Sequence, residues 1–133
     1  MKVAVCIDDA QGMTFFGKRQ SSDRVLIEEF INSNKGRRVY ITPFSARIFQ
    51  NYPEVIQSAT ALDDAGAGDV CFIENLPLKP YVSQIEELIV YRWNRSYPSD
   101  FKLDLDLTQW ELVSSSEFSG SSHDNITKEI YKR

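Results

Sequence analysis

The stretch from Gly68 to Arg95, GDVCFIENLPLKPYVSQIEELIVYRWNR, limits the fold more than any other part of the chain. Val70 to Glu74 reads as a buried strand, Glu74 and Asn75 as a turn, the next residues as a short helix, and Ile89 to Trp93 as a second buried strand. That is one complete βαβ unit, the building block of a parallel sheet. Ligands of such sheets bind beyond the carboxyl ends of the strands, so the turn from Glu74 to Leu76 marks where a site would lie.

The flanking segments extend the same pattern. Val3 to Ile7 is an apolar run stopped by Asp8 and Asp9, as expected of a strand buried on both faces. The following AQGMTFFGKRQSS reads as a loop. From Arg24 to Asn34, Leu26, Ile27, Phe30 and Ile31 recur at helical spacing behind the capping oxygens of Ser21, Ser22 and Asp23. Asn34 and Gly36 close that amphipathic helix. Val39 to Ile41 is another strand, and Thr42 followed by Pro43 opens a further helix with Phe44 and Ile48 on one face. Val55 to Thr60 is a weak strand signal, and LDDAGAGD reads as a turn or a single helical turn. Past Arg95, Trp110 to Phe118 and Ile126 to Tyr131 are two strands joined by the polar loop SGSSHDN, which pairs them antiparallel. The elements specify an α/β domain: a mixed, mainly parallel central sheet flanked by helices, with a C-terminal antiparallel hairpin. A chain of 133 residues needs only one such domain.

Composition removes several function classes. A net charge of −4 speaks against a general nucleic-acid binder. The MKVAVCIDD start holds too few apolar residues for a signal or a membrane span, so a cytoplasmic protein without a membrane partner is expected. Cys6 and Cys71 fall inside strands, where a thiol acts as a small apolar group, and no disulfide is expected. One histidine and no paired-cysteine spacing provide no metal site. The same shortage argues against the two-zinc chemistry of ribonuclease Z. A metal-free nuclease using His123 and Lys128 has no motif behind it. There is no Gly-x-Ser-x-Gly elbow either, and Ser114 to Ser122 have no base other than His123 in their own loop.

The segments LIVYRW, Ser99-Asp100-Phe101, TQWELV and SSHDNITKEIYKR, in that order and spacing, resemble the end of the dihydrofolate reductase family. VAVCIDDAQGM is similar to that family's first strand and Gly-containing loop, and RVYITPFSARIF to its second strand entering a helix. The resemblance covers nearly the whole chain and implies a dihydrofolate-reductase-like sheet. It also exposes departures. The family holds a nicotinamide cofactor with a Gly-Gly pair after the strand matched by Val70 to Ile73, where backbone amides approach the pyrophosphate. Glu74 and Asn75 stand there instead. A carboxylate beside two phosphates in a poorly solvated site is repelled by several kcal/mol, on the order of the Coulomb energy at intermediate dielectric. The second cofactor contact, a Gly-Arg or similar pair before a hydroxyl residue, is replaced by Thr42, Pro43 and Phe44, and Ser45 alone keeps a hydroxyl. The chain is also shorter than the family's usual length, with the loss between Gln50 and Asp69, where the family binds the adenosine end. No cofactor is therefore expected. A diverged NADPH-dependent reductase of the pterin or flavin-precursor kind is the alternative.

On the substrate side, the resemblance matches Asp23 to the family's acid at the start of the first helix, which binds the pterin ring. Read from the residues alone, Asp23 is a helix cap. Tyr91 falls at the family's threonine beside that acid, and otherwise reads as a core aromatic. Lys18, Arg19 and Arg24 surround Asp23, and Arg24 occupies a first helical turn, where the dipole disfavours a cation. Such a placement calls for an internal salt bridge or a bound anion. Arg92 and Arg95 flank Trp93, either to stack a ring between guanidinium and indole or because the strand there leaves the core. The expected ligand-binding residues are Asp23, Arg19, Arg24, Ser45, Glu74, Asn75 and Tyr91, in a non-reductase that binds a small planar or anionic ligand or a partner protein. No catalytic residue is assigned.

Overall fold

A computed structural model describes residues 1–133. In chain order the elements are β1 (Lys2–Ile7), β2 (Gly12–Phe15), β3 (Lys18–Arg19), α1 (Arg24–Ser33), β4 (Val39–Ile41), a 3₁₀ helix (Pro43–Phe49), β5 (Ile56–Gln57) and α2 (Ala61–Asp64). They continue with β6 (Val70–Phe72), a second 3₁₀ helix (Lys79–Gln84), β7 (Glu87–Arg92), β8 (Phe101–Lys102), a 3₁₀ turn (Leu107–Gln109), β9 (Glu111–Phe118) and β10 (Ile126–Lys132). No helix is long and apolar enough to cross a membrane.

The main sheet has the order β5-β4-β6-β1-β7-β10-β9. Strands β5, β4, β6, β1 and β7 pair parallel, and β10 inserts antiparallel between β7 and β9. The apolar runs explain the centre. Val3, Val5 and Ile7 of β1 enter one core cluster and Ala4 the other, because successive side chains of a strand point to opposite faces. The second cluster seats α1 on the sheet through Leu26, Ile27, Phe30 and Ile31. There Phe30, Phe49 and Phe72 meet with ring centroids 5.0 to 6.0 Å apart, and full burial of each such side chain is worth about 2 kcal/mol.

The strands expected from the apolar runs all lie in this one sheet, and the C-terminal hairpin is present. Three features differ from the sequence reading. The segment read as a loop after β1 forms β2 and β3, which join β8 in a small antiparallel sheet. The helix opened by Thr42-Pro43 is 3₁₀, Thr42 makes no side-chain cap bond, and its buried residues are Ser45 and Phe49, with Phe44 and Ile48 half-buried. The crossover helix is likewise 3₁₀ and none of its own residues is fully buried; Ile85, just past its end, packs in the core. Runs of six or seven residues containing proline lack the length that makes an α-helix cooperative.

Candidate functional site

The turns leaving β4, β6, β1 and β7 carry Thr42, Glu74, Asp8 and Trp93, so these residues gather at the carboxyl end of the parallel strands. Glu74 is buried there. Its carboxylate accepts from Arg19 Nε at 2.9 Å, Arg19 Nη2 at 2.8 Å and the Ser45 hydroxyl at 2.6 Å. Arg19 also donates to the Phe44 carbonyl at 3.0 Å and lies 5.0 Å from the centroid of the Phe44 ring. A guanidinium fork on a carboxylate is among the strongest side-chain pairings. The bond to Glu74 raises the Arg19 pKa further, so the arginine stays charged. Arg19, Ser45 and Glu74, all expected at the site, are thus brought together, and they satisfy one another. Neighbouring Asn75 is half-exposed with a buried Oδ1 that has no partner, as has Thr42 Oγ1 at the end of adjacent β4.

Asp23 belongs to a second cluster. Its Oδ1 accepts from the amides of Val25 at 2.9 Å, Leu26 at 3.1 Å and Ser121 at 3.0 Å. Its Oδ2 accepts from the Ser122 amide at 2.9 Å and hydroxyl at 3.1 Å, and faces His123 Nδ1 at 3.3 Å. Gly120 closes over the group: a Cβ there would stand 2.3 Å from Asp23 Oδ2. Burial alone would push this carboxyl up. The amides of Ser122, Ser121 and Leu26, with His123, outweigh burial and hold it well below the usual carboxylate range.

The expectation that Lys18, Arg19 and Arg24 surround Asp23 is therefore corrected. Arg19 is drawn to Glu74, Arg24 pairs outward with Glu28 at 2.8 Å, and Asp23 takes its partners from the loop between β9 and β10. Tyr91 is a core residue, fully buried, whose hydroxyl donates to Glu29 at 3.1 Å; burial, then the Glu29 charge, push its phenol upward. Trp93 is buried and stacks on His123 at 4.5 Å and 27°, Arg92 pairs with Glu129, and neither Arg92 nor Arg95 stacks on the Trp93 indole. Lys128 pairs with Glu29 and is not among the partners of His123.

Between α1 and the Pro43–Phe49 helix runs a groove of about 250 Å³. Arg24, Ile27, Arg47, Ile48, Asn51 and Tyr52 help to line it. Ile27 and Ile48 also border a cavity of only about 10 Å³ on the sheet side, against Cys6, Leu26, Phe72 and Trp93. The cleft is thus open outside these isoleucines and nearly filled inside them. Arg47, exposed and without a salt bridge, is among the groove residues not expected from the sequence, with Glu28, Gln50, Asn51 and Tyr52. Arg47 lies in the last turn of the 3₁₀ helix and Gln50 and Asn51 in the turn after it, so no helical spacing in the sequence brings the three together.

No protein-family model matches the chain, and no curated protein matches it by sequence. Among solved structures it is similar to a dihydrofolate reductase from Enterococcus faecalis complexed with NADP(H) and RAB-propyl. The identity is 14%, the TM-score 0.69, and the match covers 100% of this chain and 96% of that one. Together with the strand order and the C-terminal hairpin, that likeness over the full length establishes that this chain has a dihydrofolate-reductase-like fold.

Proposed function

We propose that the protein is not a reductase and that it binds a small planar anion in the groove between α1 and the Pro43–Phe49 helix. The observation that carries this reading is the state of Glu74, a buried carboxylate bonded to Arg19 and Ser45 at the end of β6. A pyrophosphate at such a strand end needs free amide donors and no adjacent negative charge. The residues present do not fit a nicotinamide cofactor. On the substrate side, both Asp23 oxygens are taken up by amides and hydroxyls of the protein itself, and Ile27 and Ile48 leave little room behind them.

In the groove outside, Arg24 is paired with Glu28, which lines the same wall, so Arg47 is the cation left to meet an anion. Ile27, Ile48 and Tyr52 supply apolar walls for a ring. Its volume of about 250 Å³ suits a single ring with one anionic substituent. Titrating benzoate and nicotinate into labelled protein and following amide chemical shifts tests the reading. The expected outcome is saturable shifts at Arg24, Ile27 and the 47–52 segment, weakened about tenfold or more by Arg47→Ala. Shifts absent from these residues would contradict it. The competing reading, a diverged NADPH-dependent reductase, draws its support from the likeness to a reductase complexed with NADP(H).

A further inference from the structure

We propose that Ser21, His123 and Asp23 form a nucleophilic relay, in which Ser21 accepts an acyl group, His123 is its base and Asp23 positions the imidazole. Ser21 Oγ lies 3.2 Å from His123 Nε2, and His123 Nδ1 lies 3.3 Å from Asp23 Oδ2. The histidine and aspartate side chains are 2% and 0% exposed, whereas Ser21 is half-exposed. A reagent therefore reaches the hydroxyl from solvent while the groups behind it stay dry. Trp93 stacked on the ring and the Ser122 hydroxyl, 3.0 Å from Nδ1, hold the imidazole in one plane. With its Nδ1–H directed at the Asp23 carboxylate, the ring presents an Nε2 lone pair to a hydroxyl, the arrangement that activates a serine wherever it occurs.

Two hydroxyls share that lone pair. Tyr97 Oη stands 2.9 Å from Nε2, closer than Ser21, so Tyr97 restrains the relay rather than building it. The acyl group has to stay on the solvent side of Ser21. The cavity that Ser21 borders is about 10 Å³, about the room of one water, with Leu26, Phe72 and Trp93 on its walls, and so admits no acyl chain. Small acetyl esters, which need no inner pocket, are the matching class. In the reaction Ser21 Oγ adds to the carbonyl carbon and its proton passes to Nε2. The carbon–oxygen bond to the leaving alcohol or phenol breaks, and Nε2 gives the proton to the departing oxygen. Water repeats the sequence on the seryl ester, releasing acetate and restoring Ser21. No cofactor enters, and Asp23 borders both the relay and the groove.

The test uses the intact chain with p-nitrophenyl acetate, mapping acetylation by mass spectrometry so that lysine reactivity is separated from Ser21. Wild-type protein is expected to acetylate at Ser21, with the label absent in Ser21→Ala. The rate at Ser21 should fall about 100-fold in His123→Gln, the usual size of general-base assistance, and rise severalfold in Tyr97→Phe. For the positioning role of Asp23, a low-field Nδ1–H proton resonance should persist in Ser21→Ala and vanish in Asp23→Asn. Failure of Ser21 to label above the level of exposed serines overturns the proposal. So does a Ser21 rate that Tyr97→Phe leaves unchanged, a comparison that holds even if His123→Gln fails to fold.

Discussion

Glu74 and Asp23 show at residue scale how a carboxylate is used up by its surroundings. Glu74 is held by one guanidinium and one hydroxyl, and removing the guanidinium would leave a buried, partly unpaired charge. Arg19→Met should therefore destabilise the fold by about 3 kcal/mol, the low end for a broken buried pair because Arg19 keeps 23% of its side chain exposed. Urea denaturation measures this, and adding Glu74→Gln should recover much of the loss. Asp23 makes a prediction with a sign. Its folded pKa lies below the ordinary value near ~3.9, so the stability it contributes is fully present above about pH 4 and is lost as pH falls towards the folded value. Asp23→Asn should then be less stable than wild type at pH 7, and the gap should narrow at pH 3. A gap independent of pH would contradict the ionised anchor. The capping role of Asp23 was legible in the sequence, since an acid directly ahead of a helical apolar pattern has few other uses. Its bonds to Ser121, Ser122 and His123 were not, because nothing local ties a helix start to a loop about a hundred residues later.

At the scale of elements, the β9–β10 loop is fastened to α1 by the Asp23 carboxylate, and Gly120 lets it approach. A side chain there meets the carboxylate at 2.3 Å and Ile126 Cδ1 at 2.8 Å, so the loop backbone must move. Gly120→Ala should cost about 1 to 3 kcal/mol, the range for overpacking a closed site. Hydrogen exchange should quicken at the Ser121 and Ser122 amides while the β7–β10 ladder keeps its protection. Unchanged exchange at both serines would show that the loop does not depend on Asp23. The same scale separates what could be read from what could not. Strands β1, β4, β6 and β7 announce themselves because burial on both faces demands unbroken apolar runs. Strands β2, β3 and β8 have four, two and two residues, too few for a period, and β8 pairs with β2 from far along the chain. Of the candidate site, the sequence led to Arg19, Ser45 and Glu74 but assigned them to a ligand. Their bonding to one another depends on the β2–β3 hairpin, whose strands it did not show.

For the whole molecule, the fold does not dictate the use of the site. A likeness at TM-score 0.69 with 14% identity means that the backbone fold is shared while most side chains are not. The positions facing the strand ends are free to change use under that constraint. Here they close inward, with Glu74 on Arg19 and Asp23 on the β9–β10 loop, and the open surface lies outside Ile27 and Ile48. We propose that this sheet does not serve a nicotinamide cofactor. The most direct test is a calorimetric titration with NADPH, paired with thermal unfolding at about 1 mM NADPH. The account predicts no saturable heat and an unchanged Tm. Saturable binding with Kd near 10 μM would add about 2.7 kcal/mol at a hundredfold excess and raise Tm by roughly 5 to 10 °C, and that result would contradict it.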